Sequence, residues 1–168
     1  MFLIFVNSVF GDVGSTTAFK KYLNVRFGYE LSYPEAILLP QGEAENGDGQ
    51  RFISREGDVE MLVWGSNNAL DETLKSNFQK DTKEKTREHP DKRVTYKRLK
   101  ENSYVVSGYI GKKIFYQKTM HIRDVDAFIT FYISYPITKK NNYDPVVSKI
   151  SKSFQYQVTP KEQMKTGK

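Results

Sequence analysis

Between Lys92 and Pro136 the chain carries four strand-like runs in succession, at residues 93–99, 104–110, 113–122 and 128–135. Each is rich in β-branched and aromatic residues, which suit a pleated, half-buried surface. Only residues 100–103, Gly111-Lys112 and residues 123–126 separate them. Connections this short cannot hold a crossover, so successive runs pair antiparallel as a meander. In residues 128–135 both alternation classes are apolar or aromatic, with Phe128 and Tyr132 on one and Ile129, Phe131 and Ile133 on the other. Such a strand belongs at the centre of a sheet covered on both faces.

Upstream, Tyr29, Leu31 and Tyr33 alternate with Glu30 and Ser32 and stop at Pro34, the pattern of a half-buried strand. Ile37-Leu38-Leu39 makes a small apolar step, and residues 43–50 form a long surface turn around Asn46-Gly47-Asp48-Gly49. Strands at 51–54 and 59–64 flank a hairpin-like Arg55-Glu56-Gly57-Asp58. A helix is expected from Asn68, its candidate N-cap, to about Glu88, with Leu70, Leu74 and Phe78 facing the core. Its second half, from Lys80, is charged but for Thr82 and Thr86, and solvated. A second helix opens at Asp144-Pro145 and repeats Tyr143, Val146, Val147, Ile150 and Phe154 at helical spacing.

At 168 residues the chain is one domain's worth. Its 11 Tyr, 11 Phe and single Trp supply enough buried area for an aromatic core. The expected class is α+β, a mostly antiparallel sheet of about six or seven strands with a helix on each face. The domain covers residues 24–154, after a flexible lead-in at 12–23 and before a polar, basic tail at 155–168. Residues 1–11 begin with the apolar Phe2-Leu3-Ile4-Phe5-Val6, too short for a membrane span of about 20 residues, and read as a signal-peptide remnant cleaved before Asp12. That reading makes the protein periplasmic or secreted. An uncleaved chain would instead use Phe2–Val6 as a strand and stay in the cytoplasm.

Cysteine is absent, which removes disulfides, thiolate metal sites and a cysteine nucleophile. Only His89 and His121 offer imidazole, too few for a zinc site without thiolates. Glu43, Glu45 and Asp48 around Asn46-Gly47 could offer oxygens to calcium, but lack the ligand ladder of an EF-hand and read as an acidic turn. No nucleophile elbow or phosphate-cradling motif occurs. No catalytic residue, metal or cofactor is assigned, and a hydrolase with an unrecognised triad is a remote alternative.

Two constellations stand out. Trp64, Ser66, Asn67 and Asn68 place an indole, a hydroxyl and two amides at a strand-to-helix junction, where they can contact a polar ligand or simply cap a helix and fill core. Lys92, Arg93, Lys97, Arg98 and Lys100 crowd nine residues, with Lys112 and Lys113 beyond and Tyr96 and Tyr116 among them. With 26 basic against 20 acidic residues and a net charge of +6, an anionic partner such as nucleic acid or lipid is conceivable. Basic residues on an outer strand also prevent edge-to-edge aggregation. Regular alternation would send those side chains to both faces, so edge protection is the favoured role and nucleic acid a disfavoured partner.

The order of signals resembles the PsbP-like superfamily: Phe27-Gly28-Tyr29 leading to Tyr33-Pro34, a central hairpin, one long helix, a meander ending in Tyr135-Pro136, and a terminal Asp144-Pro145 helix. The likeness is nearest to its exported bacterial proteins of unknown function, through Asn46–Phe52, Trp64–Asn68 and Tyr104–Gly108. It implies an α/β/α sandwich and no shared activity, because the group also holds a photosystem II protein and a Ran-binding nuclear-import factor. The resulting expectation is a non-enzymatic accessory or binding protein with a protein or cell-envelope partner.

Overall fold

The computed structural model describes residues 18–157, and in it the four-run meander forms one side of a seven-stranded sheet. The strands are β3 (Leu39–Glu43), β4 (Gly49–Ile53), β5 (Glu60–Asn67), β6 (Arg93–Leu99), β7 (Ser103–Ile110), β8 (Lys113–Ile122) and β9 (Ala127–Pro136). Their order is β3-β4-β5-β9-β8-β7-β6, and every neighbouring pair is antiparallel. The doubly apolar β9 takes the middle position, and all its residues except Tyr132 and Pro136 are buried.

One sheet face is covered by α2 (Lys140–Ser153) and by a three-stranded sheet, β1 (Phe19–Asn24), β2 (Tyr29–Pro34) and β10 (Gln155–Tyr156), ordered β1-β2-β10. The main core lies there, with Tyr29, Leu31, Phe52, Phe131, Ile150 and Phe154 almost wholly buried. The opposite face carries α1 (Leu74–Asp81), which stands over β7 and closes a smaller core of Leu74, Tyr104, Val106, Phe115 and Phe128. The α+β class, with antiparallel sheets and a helix on each side of the larger one, is as expected.

Several local expectations change. β1 begins at Phe19, within the segment expected to be a loose lead-in, because Phe19 and Tyr22 pack on the main core while Lys20 and Lys21 stay in solvent. The start of the expected tail is also structured: Gln155 and Tyr156 pair with Glu30 and Tyr29. β2 is therefore the middle strand of its sheet and not half-exposed. Glu30 is buried, and its carboxylate accepts from Lys21 Nζ at 3.1 Å and Gln155 Nε2 at 2.9 Å. The expected export segment, residues 1–11, lies outside the described residues, as does the tail from residue 158. No helix among the described residues is long and apolar enough to cross a membrane.

The first helix is much shorter than its charge pattern suggests. β5 runs on to Asn67, Asp71 adopts a positive φ of 49°, and helix begins only after Thr73. Thr73 and Ser76 form a capping box, each side chain accepting from the other's backbone N–H at 3.0 Å. Leu70, expected in the core stripe, is 79% exposed. The helix stops at Asp81 because its charged continuation has partners elsewhere: Asp81 binds Tyr104 and Gln117, and the Glu84 carboxylate accepts the Val94 N–H at 2.7 Å. In α2, Pro145 falls inside the helix, and Asp144 is no cap; it accepts from the Tyr135 hydroxyl at 2.8 Å.

Candidate functional site

Because side chains alternate along strands, Leu62, Trp64 and Ser66 of β5 share the α1-side face with Tyr132, Thr130 and Phe128, their cross-strand partners on β9. α1 stands over β7 and leaves a cleft of about 430 Å³ between itself and β5. Trp64, Ser66, Asn67 and Asn68, the expected ligand contacts, all line it. Asn77, Lys80 and Asp81 of α1 form the facing wall, and Gln117, Thr119 and Thr130 form the floor.

Most of the wall is locked. The Asp81 carboxylate accepts from the Tyr104 hydroxyl and from Gln117 Nε2. Burial, with Asp81 alongside, pushes the Tyr104 hydroxyl far above the usual tyrosine range, so it stays a donor. Thr119 and Thr130, both buried, share a hydrogen bond of 3.0 Å across the β8–β9 pair. Asn68 is not the helix cap. Its Oδ1 accepts from Glu72 N at 2.7 Å, and its Nδ2 donates at 3.0 Å to both Glu72 O and Asp126 Oδ1, which pins the linker between β5 and α1. Asp126 also meets His121 Nε2 at 2.9 Å, and these two bonds hold its carboxyl below the ordinary range. The His121 ring stacks on Phe128 at 4.6 Å.

Against that fixed background, Trp64, Ser66, Asn67 and Asn77 have no side-chain hydrogen bond among the described residues. Trp64, Ser66 and Asn77 turn those groups to the cleft, whereas alternation along β5 sets Asn67, opposite Ala127, on the other face, where it borders a small hollow with Phe27 and Tyr156.

On the other side of Trp64 lies a second hollow of about 520 Å³, bordered by Glu43, Asp48, Gln50, Arg51 and Leu62. Its rim is the turn at residues 44–48, and the small sheet braces that turn. Asn24, 1% exposed, donates to Gly47 O at 2.9 Å and accepts the Phe27 N–H at 2.9 Å. The Tyr29 hydroxyl and the Gly65 N–H both donate to Asp48 O, at 2.9 and 2.8 Å, and Arg26 reaches Asn46 O. Of the three acids of this turn, two are engaged: Glu43 accepts from the Tyr22 hydroxyl and Asp48 from Asn46 Nδ2, both at 2.7 Å. Among the described residues no three His, Asp or Glu side chains are grouped to hold a metal ion.

The basic run divides. Lys92 is a structural residue, its ammonium donating to Asp81 O at 2.7 Å and lying 5.3 Å over the Phe115 ring, where burial lowers its pKa. β6 is the edge strand, and a bulge between Val94 and Tyr96 breaks its alternation. Arg93, Tyr96 and Arg98 consequently stand opposite Tyr109, Ser107 and Val105 on the α2 side. Only Lys97 and Leu99 of the outer run share the α1 side, opposite Val106 and Tyr104. Lys100 closes the β6–β7 turn, and Lys112 and Lys113 lie at the β7–β8 turn. The bulge depends on Gly108, since a Cβ there would lie 1.9 Å from Arg93 O. Tyr96 borders a groove of about 540 Å³ between α2 and strands β6–β8.

The sequence reading missed Asn77, Asp81, Gln117, Thr119 and Thr130. The available signal was the polar run Gln117, Thr119, Thr130 at matching positions of two otherwise apolar strands; its convergence with α1 needs the register.

No protein-family model matches the chain, and no curated protein matches it. Solved structures do. Cyanobacterial PsbP (CyanoP) from Synechocystis sp. PCC 6803 aligns with a TM-score of 0.62 at 16% identity, covering 87% of this chain and 96% of its own. The Saccharomyces cerevisiae Ran-binding protein Mog1p aligns at 0.60 and 10% identity, covering 86% of this chain and 98% of its own. A Pseudomonas aeruginosa protein of unknown function follows at 0.51 and 8%, covering 84% of this chain and 99% of its own. At such identities only the backbone architecture is shared. The α+β arrangement built above, a seven-stranded antiparallel sheet covered by α2 and the small sheet on one face and by α1 on the other, is the PsbP/Mog1-like fold.

Proposed function

We propose that the protein is a non-enzymatic binding protein whose cleft between α1 and β5 engages a protein or cell-envelope component, after export directed by residues 1–11. One observation carries this: three side chains from two elements, Trp64, Ser66 and Asn77, present unused hydrogen-bonding groups to one cleft whose remaining polar lining is internally bonded. A rigid wall beside free donors and acceptors is the arrangement of a preformed site. A fold neighbour that bears a binding role in its name, the Ran-binding Mog1p, is in keeping with it.

The test is photo-crosslinking in the source cells. A photoreactive side chain at Ser66 should give a discrete adduct, while the same side chain at exposed Arg55 should not. Equal labelling at both positions, or none at Ser66, would remove the cleft from consideration. Cell fractionation with intact mass should find a chain beginning near Asp12 outside the cytoplasm.

A second reading has its own support. The β6 bulge gathers Arg93, Tyr96 and Arg98 on one side, beside a groove bordered by Tyr109, Tyr116 and Lys152. That combination suits a polyanion, and its affinity for single-stranded nucleic acid or anionic vesicles should then fall steeply with salt. Gly108→Ala, which displaces the bulge, should abolish that salt-sensitive binding. Affinity unaffected by salt would reject it.

A further inference from the structure

We infer that the cleft takes an uncharged glycan chain, laid across the strands and over Trp64; the inference rests on the cleft being the binding site. Trp64 borders both hollows, so the two are one groove divided by its indole. It crosses from β3 to β7 in the order β3-β4-β5-β9-β8-β7, which at strand spacing is roughly 24 Å. That length suits several linked rings and not a single small molecule.

The charge on the groove narrows the class. Although the chain carries a net +6, the groove gathers Glu43, Asp48, Glu72 and Asp81. Its two bases are already paired, Arg51 with Glu60 and Lys80 with Glu72. Anionic polymers are repelled from such a surface.

What the groove offers narrows it further. β4, β5, β9 and β8 are internal strands whose backbone groups are consumed by the ladder, so only side chains can meet a ligand. An extended peptide finds no edge to pair with along these four strands, and the groove meets an edge only at its β3 end. A sugar carries its own dense array of hydroxyls for Ser66 and Asn77, and an apolar ring face for an indole. Trp64 stacks on no other ring, and its N–H has no partner, among the described residues.

The chain's single tryptophan makes the test direct. Full-length protein is titrated with cellopentaose and with the pentamer of N-acetylglucosamine while Trp64 emission is followed. A saturable emission change is expected, with the pentamer binding at least about tenfold tighter than its monomer, equivalent to about 1.4 kcal/mol. Asn77→Ala should weaken the dissociation constant roughly two- to tenfold, the range of one hydrogen bond. A response to pentalysine with none to either pentasaccharide would overturn the inference and assign the acids to a cationic peptide. Silent pentasaccharides with a discrete Ser66 adduct would also overturn it while leaving the cleft as the site. Silence together with no adduct would bring down both.

Discussion

At the scale of single residues, close approach decides more than polarity. Gly65 lies in β5 between Trp64 and Ser66, and a Cβ there would come within 2.3 Å of the Phe27 ring. Phe27 is buried and belongs to the main core, so it has little room to yield. Gly65→Ala should therefore destabilise the protein by about 1–3 kcal/mol, the usual cost of overpacking. Urea unfolding should show a lower midpoint with an unchanged slope. Asn24 acts through hydrogen bonds instead: one buried amide joins β1 to Gly47 and closes its own turn on Phe27. Asn24→Ala should cost about 1–3 kcal/mol, because it leaves buried partners unsatisfied. Since it releases the 44–48 turn, it should also sharpen proteolysis there, which limited digestion would reveal.

Elements are decided by ends and partners. α1 has a single buried position, Leu74, and too few turns to be stable alone. Its capping box does the remaining work, and Thr73→Ala should cost about 1 kcal/mol while Thr73→Ser changes little. Hydrogen exchange should show the loss concentrated in residues 74–81, with β9 unaffected. Uniform loss of protection would instead mean that α1 and the sheet unfold as one unit. The same logic explains why the charged stretch after Asp81 is not helical. Intrahelical ion pairs contribute only about 0.2–0.5 kcal/mol each, whereas Asp81 and Glu84 have partners fixed by the sheet and Lys92, just before β6, reaches back to Asp81 O. At β6 a bulge inverts the simple alternation and sends Arg93 to the face that carries Tyr96 and Arg98.

For the molecule as a whole, the aromatic core sets an alkaline limit. Burial pushes Tyr22 up to about 12 and raises Tyr29, Tyr104 and Tyr135 further. In the unfolded chain these hydroxyls titrate near about 10. The folded state thus holds their protons more tightly, and the stability this represents is complete below about pH 10 and lost as pH rises toward the folded values. Tyrosinate absorbance from these residues should consequently appear together with loss of far-UV circular dichroism. A smooth titration centred near pH 10 with the fold intact would show that they are exposed. At the acid end the sign reverses: Glu30, held low by Gln155 and Lys21, contributes stability above its unfolded value that fades as pH falls.

By itself the sequence determined the meander, the central place of the strand at 128–135, the buried stripe of α2 and hence the α+β class. These rest on short connections and on periodic burial, both local properties of the chain. Trp64, Ser66, Asn67 and Asn68 were also legible as a cluster because they are consecutive or nearly so. Only the tertiary structure decided where α1 stops, since Asp81 and Glu84 find their partners 10 to 36 residues away, whereas the Thr73–Ser76 cap at its start is local. It alone decided that β1 and β10 complete a second sheet, because each is too short to show a period and is stabilised by pairing with β2. The groove itself belongs to this second kind. Gln117, Thr119 and Thr130 face Asn77 and Asp81 only because strand order places β8 and β9 beneath α1, and that order is set by long-range packing.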